Sequence, residues 1–190
     1  MSILTSRRFL PLFTTQFLGA FNDSMFKNAI AMLVTYKLAE SVSVQPAILV
    51  AISGGIFILP FFLFSAMAGQ ISDKMDRARI ARYVKIAEIV IMLFAVGGFL
   101  TGSISALMLA LFGMGMHSTV FGPVKYAILP QHLEGPELLE GNAYVEAGTF
   151  LAILIGTTLG GLLVLAPGGD YIISVAVLAV AGAGYAASRF

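Results

Sequence analysis

Four stretches of the chain hold no Asp, Glu, Lys or Arg: residues 41–72, 89–124, 147–169 and 171–188. Crossing a hydrocarbon core of ~30 Å takes roughly 20 apolar residues in a helix, so each stretch is of membrane-crossing length. The stretch 89–124 would run about 54 Å as one helix, which is too long for a single crossing. It predicts two crossings joined at Leu100-Thr101-Gly102-Ser103, where helix-breaking residues gather. With the amino-terminal apolar run the pattern predicts six spans, over residues 9–39, 46–68, 82–100, 104–124, 142–166 and 171–188. The first is not a signal peptide, because its apolar run resumes past Lys27, no small-residue cleavage site follows, and five more spans come after it.

Composition agrees with an all-α membrane protein. Of 190 residues, 11 are Lys or Arg and 10 are Asp or Glu; 58% are hydrophobic and the mean hydropathy is +0.94. Soluble domains carry about a quarter charged residues, and disordered chains are polar, so both classes are excluded. A net charge of +1 gives no basic field for nucleic acid. The absence of Cys removes thiol chemistry and Cys-ligated metal, and His117 and His132 are too few and too far apart for a metal centre. No cofactor is expected.

Nine basic residues (Arg7, Arg8, Lys74, Arg77, Arg79, Arg82, Lys85, Lys125 and Arg189) fall at span ends or loops on one side, against Lys37 alone on the other. The positive-inside rule then places both termini in the cytoplasm, with cytoplasmic connections over residues 69–81 and 125–141.

Asp23 and Lys27 flank the middle of the first span. A charge at that depth costs roughly 2.5–3.5 kcal/mol on insertion scales, so both side chains are expected to face an interior. Gln16, Ala20, Asp23 and Lys27 recur at intervals of 4, 3 and 4 and form one stripe, with Asn22 and Asn28 beside it. Asp23 and Lys27 either neutralise one another at i, i+4 or line a water-accessible substrate path. Arg82 and Lys85 are read as snorkelling side chains. Glu88, two turns inside the third span, is open to either a salt bridge with a neighbour such as Lys125 or a coupling role, as is Glu146 near the start of the fifth. His117 reads as a hydrogen-bonded packing residue.

The second span ends Gly69-Gln70-Ile71-Ser72-Asp73-Lys74-Met75-Asp76-Arg77-Ala78-Arg79. A Gly at a helix end lets a neighbour approach, and an acid flanked by bases can form a cytoplasmic latch that breaks when helices rock. The segment resembles the loop between helices two and three of the major facilitator superfamily, with Gly69, Asp73, Lys74 and Arg77 matching and Asp76 and Ala78 departing. Gly156-Thr157-Thr158-Leu159-Gly160-Gly161 is a small-residue surface for close helix packing. It is similar to that superfamily's helix-five Gly-Pro-x-x-Gly-Gly segment, with Thr157 in place of Pro. Ala110 stands where many proton-coupled members carry Arg.

Residues 16–28 (Gln-Phe-Leu-Gly-Ala-Phe-Asn-Asp-Ser-Met-Phe-Lys-Asn) and 121–130 (Phe-Gly-Pro-Val-Lys-Tyr-Ala-Ile-Leu-Pro) resemble the bacterial lysophospholipid transporter family. That family includes free-standing transporters and the membrane portion of fusions carrying a phospholipid acyltransferase and an acyl carrier protein synthetase. The resemblance implies a six-helix half of a major facilitator fold, a 3+3 inverted repeat, in the bacterial inner membrane. It implies that Asp23 and Lys125 contact substrate in the translocation pathway and that Lys27 belongs more to the fusion branch. Its implied partners are lysophospholipid, membrane lipid and a second six-helix half absent from this chain, so the chain is expected to be either a fragment of a longer chain or one half of a dimer, the fragment being favoured. An acid beside bases suits a zwitterionic headgroup. Gly122-Pro123 is expected to interrupt the fourth helix beside Lys125.

Three alternatives stand beside lysolipid transport: export of a small amphipathic drug or metabolite, the membrane domain of a fused acyltransferase, and a structural subunit. No nucleophile constellation or His-x-x-x-x-Asp motif occurs in these residues, so an enzymatic activity would belong to a longer parent chain.

Overall fold

The computed structural model describes residues 3–37 and 45–190. Among these, helices α1 (Leu10–Met32), α2 (Pro46–Lys74), α3 (Arg77–Thr101), α4 (Ile104–His132), α5 (Pro136–Leu165) and α6 (Gly169–Ala187) make up nearly the whole molecule. A 3-10 turn at Ile3–Thr5 precedes α1, and a π-helical turn at Leu33–Lys37 continues it. The end of the first expected span, residues 38 and 39, lies outside the described residues.

Five helices, α2 to α6, are long and apolar enough to cross a membrane, so this is a multi-pass membrane protein. With 23 residues, α1 is about 35 Å long and sufficient in length. Its polar stripe keeps it off that apolar set.

Hydropathy located the apolar cores of the helices but not their ends. The connections expected over residues 69–81 and 125–141 shrink to residues 75–76 and 133–135, because helical hydrogen bonding runs on past the last apolar residue. Local caps mark the true ends. The Asp76 carboxylate accepts from the Arg79 N–H and starts α3 one residue later, which gives the departure from Gly at that position a physical reason. Gly102, at φ 65°, closes α3 in the left-handed region inside the expected breaker cluster, and the Ser103 hydroxyl caps α4. Pro46 and Pro136 begin α2 and α5, where a missing N–H costs nothing.

Helix α1 packs chiefly on α5, α2 on α4, α3 on α4 and α6, and α1 on α6. Exchanging helices 1, 2 and 3 with 4, 5 and 6 turns the α1–α5 pair into α4–α2 and the α3–α4 pair into α6–α1. The packing plan is therefore its own image under that exchange. Between α1, α3, α4 and α6 lies a core that includes Met25, Phe26, Met92, Phe99, Met114 and Val177, with Phe26 edge-on to Phe99 at 5.8 Å.

In lipid, helices gain little from hydrophobicity when they associate, so close backbone approach matters more. The expected small-residue surface is formed. Gly148, Gly156 and Gly160 of α5 face α1, where a Cβ would collide with the Phe13 ring, the Phe21 carbonyl and the Met25 carbonyl respectively. Gly115 of α4 meets Phe57 and Pro60 of α2 in the same way. Gly69 does not behave as expected: no neighbour lies near its position, so it opens no close approach. The fourth helix is likewise not interrupted at Gly122-Pro123, since α4 runs continuously from Ile104 to His132. Gly122 instead leaves open space in a cavity wall.

Candidate functional site

A cavity of about 270 Å³ lies between α1, α2, α4 and α5. The stripe Gln16, Ala20, Asp23 and Lys27 lines it from α1, Ser118 and Lys125 from α4, Phe57 and Phe61 from α2, and Thr149 from α5. Sequence spacing thus located one wall of a real concavity. Asn22 points elsewhere, although it was grouped with the stripe.

Asp23 and Lys27 do not pair. The Asp23 carboxylate accepts a hydrogen bond of 2.5 Å from the Ser118 hydroxyl, and the Lys27 ammonium stands 5.1 Å over the centre of the Phe57 ring. Each is one turn from the other, but the two side chains turn to different neighbouring helices. Lys125 lies 4.7 Å over the Tyr126 ring, and Tyr126 donates to the Glu146 carboxylate, tying α4 to α5. Among the described residues, Asp23, Lys27 and Lys125 have no ion-pair partner within 4.0 Å, while all three keep some exposure.

Behind the cavity sits a sealed ion cluster. Lys85 does not snorkel: it is fully buried, with its ammonium 2.7 Å from the Glu88 carboxylate. It fits because Gly19 of α1 leaves the space its ammonium fills, with Gly184 of α6 in contact alongside and the Phe121 ring centre 5.5 Å away. Glu88 also accepts from Asn22 at 2.7 Å. Its partners are Lys85 and Asn22; Lys125 is not among them. Taking two ions out of water carries an effective penalty of several kcal/mol each, which only tight geometry with further hydrogen bonds offsets. Glu88 has both.

His117 bridges cluster and cavity. Its Nε2 is 3.3 Å from Glu88 Oε2, the oxygen that Lys85 also holds, but makes no hydrogen bond to it, and its Nδ1 is 3.3 Å from the Ser118 hydroxyl. Ser118 gives its one proton to Asp23. Lys85, Glu88, His117, Ser118 and Asp23 thus lie in one polar row, joined by hydrogen bonds at both ends and by a 3.3 Å approach between Glu88 and His117. The reading of His117 as a hydrogen-bonded packing residue fits its contact with Ser118 and its stacking on Phe121; its approach to Glu88 goes beyond that reading.

Gln16 donates to the Val145 carbonyl at 2.9 Å and accepts from Thr149, so it clamps α1 to α5 while lining the cavity. Asn28 does the same to the Thr157 carbonyl. At the end of α2, Asp73 and Lys74 are exposed and make no ion pair among the described residues, whereas the guanidinium of Arg77, the first residue of α3, donates to the Ala127 carbonyl of α4 at 2.9 Å. Sequence reasoning missed Ser118 and Phe57. A hydroxyl beside a span histidine and aromatics four apart at Phe57 and Phe61 were the available signals.

Residues 1–184 match the model of a family described as transmembrane secretion effector. The chain is 30% identical over 190 residues to the lysophospholipid transporter LplT of Serratia proteamaculans (strain 568), covering 98% of this chain and 42% of that protein. It is 29% identical over 163 residues to LplT of Yersinia pestis (strain Pestoides F), covering 84% of this chain and 36% of that one. The chain thus spans about two fifths of the length of the curated relatives it matches. No solved structure matches it. With a family model spanning nearly every residue and a helix plan built on close-packed glycines, the chain belongs to the transmembrane secretion effector family of the major facilitator superfamily.

Proposed function

We propose that this chain is the amino-terminal half of a secondary transporter that moves lysophospholipid across the bacterial inner membrane by alternating access. The observation that carries the reading is the set of three charges without ion-pair partners, Asp23, Lys27 and Lys125, around one partly open cavity with an aromatic wall. A zwitterionic lysolipid headgroup offers an ammonium for Asp23 and a phosphate for Lys27 and Lys125, each as a charge-assisted hydrogen bond. Its acyl chain lies against Phe57, Phe61 and Ile153.

In this reading α1 crosses the membrane as a sixth span, with its charges turned to the pathway rather than to lipid. Both termini face the cytoplasm, on the side where the basic residues gather. The exchangeable packing of helices 1–3 and 4–6 supports a 3+3 inverted repeat, and the second half of the transporter closes the cavity. Substrate sites in such transporters lie at repeat interfaces near the midplane, and a cavity of about 270 Å³ is one wall of such a site. Arg77, reaching from α3 to the α4 backbone, acts as the cytoplasmic latch, with Gly69, Asp73 and Lys74 completing the gating segment. Glu88 is a structural ion-pair member, and Glu146 positions Tyr126 beside Lys125.

The test is lysophosphatidylethanolamine uptake into spheroplasts carrying the full transporter. Asp23→Asn and Lys125→Ala are expected to lower uptake at least ~10-fold with the protein still folded, equivalent to one lost charge-assisted contact of about 1.4 kcal/mol. Unchanged uptake in both variants would overturn the site.

A further inference from the structure

A second cavity, of about 380 Å³, opens at the basic end of the bundle, between the start of α1 and the adjoining ends of α3, α4 and α6. Its volume falls in the ~300–1,000 Å³ range of small-molecule sites. Arg7, Arg8 and Arg82 line it, no Asp or Glu does, and Leu12, Ala81 and Ile128 form an apolar floor. Arg8 is already engaged, donating to the His132 carbonyl at 3.2 Å and lying 3.5 Å from Glu137. Arg7 and Arg82 are exposed and have no ion-pair partner among the described residues.

Thr15 supplies the second, independent observation. Threonine hydroxyls inside helices ordinarily return to the carbonyl four residues back. Thr35, Thr101, Thr119, Thr149 and Thr158 all do so here. Thr15 does not. Thr15 is 2% exposed, lines this cavity, and its hydroxyl has no hydrogen-bond partner among the described residues. A buried hydroxyl left without a partner beside a ring of guanidinium groups is an arrangement that an oxyanion completes.

We infer that this cavity binds the phosphate of an anionic membrane phospholipid, with Arg7 and Arg82 on its oxygens, the Thr15 hydroxyl donating from below, and the first carbons of the lipid against Leu12 and Ile128. Guanidinium forks match phosphate geometry and keep their charge at any working pH. The apolar floor and the position at the end of membrane-crossing helices separate a lipid phosphate from a free one. The site lies apart from the cavity around Asp23, and shares no lining residue with it.

The intact protein in phosphatidylcholine-containing detergent micelles is titrated with tritiated phosphatidylglycerol by scintillation proximity, with unlabelled phosphatidylglycerol, phosphatidylcholine or inorganic phosphate as competitors. Saturable binding displaced by phosphatidylglycerol alone is the expected result. Arg7→Ala and Arg82→Ala should each weaken it about 5-fold, and together about 25-fold, from the usual contribution of one basic residue near an anionic lipid surface. Thr15→Val, which keeps the side-chain shape, should weaken it about 5-fold. Arg79→Ala, an exposed arginine on α3 outside the cavity, should stay within about 2-fold. Equal displacement by phosphatidylcholine would overturn the inference, and so would displacement by inorganic phosphate at comparable concentration. Losses as large for Arg79→Ala as for Arg82→Ala would also overturn it, by showing a diffuse basic field.

Discussion

Lys85 and Glu88 have no exposed surface and meet at 2.7 Å, whereas Asp23, Lys27 and Lys125, on helices packed directly against them, stay partly exposed with no opposite charge in ion-pair range. Lys85, Glu88 and Lys125 sit in helices long and apolar enough to cross a membrane, and Asp23 and Lys27 in α1 packed among them, where a lone charge is costly. The first set is closed upon itself: Glu88 is bonded by Lys85 and Asn22, and two glycines shape the space around the ammonium. The second set is left with only neutral partners, a hydroxyl for Asp23 and aromatic rings for the lysines. Depth in the membrane alone therefore does not mark a binding residue. What separates the two is whether the protein has already supplied the counter-charge.

The strongest way to break this contrast is to remove half of the sealed pair. Glu88→Ala strands the Lys85 ammonium and should cost about 3–5 kcal/mol, seen as a large drop in thermal unfolding temperature in detergent. A loss under about 1 kcal/mol would mean that water reaches the cluster and that it is not sealed. Replacing both partners, as Lys85→Met with Glu88→Leu, should recover most of that loss, with a double-mutant cycle giving a strong coupling term. Two additive single losses would deny the pairing.

Asp23→Asn is expected to behave oppositely: stability within about 1 kcal/mol of the parent, since Asn still accepts from Ser118, together with the fall in uptake given above. A variant that loses its fold before its transport would place Asp23 with the structural set. Phe57→Ala should weaken lysolipid affinity by roughly 2- to 5-fold by freeing the Lys27 ammonium from its ring, a contact worth about 0.5–1 kcal/mol. The smallest effect is expected at Asp73, exposed and unpaired, where Asp73→Asn should change stability by no more than about 0.5 kcal/mol. Arg77→Ala should cost more, about 1 kcal/mol, because it alone in that segment crosses to α4.

Much of this was legible in the residues. The charge-free runs gave α2 to α6, the Leu100–Ser103 breakers gave the α3–α4 turn, and the Gly156–Gly161 segment gave a close-packing surface without naming α1 as its partner. The 4, 3, 4 spacing of Gln16, Ala20, Asp23 and Lys27 gave a cavity wall. Partner choice was not legible. Lys85 lies three residues from Glu88 and was assigned to snorkelling, because position near a span end says nothing about which way a helix is rotated. Asn22 adjoins Asp23 in sequence yet bonds to α3, since each residue turns the helix by about 100°.

Transfer of side chains into hydrocarbon is a local and nearly additive property, so sequence alone settled that this chain is helical, membrane-embedded and cut into its apolar segments. Pairing of charges depends on the rotation and closeness of helices distant in sequence, which Gly115 and Gly160 set through close backbone contacts while Gly19 leaves room for the Lys85 ammonium. Only the tertiary structure could decide that Glu88 belongs to Lys85, that Asp23 leans on Ser118, and that Lys27 and Lys125 are left facing a cavity.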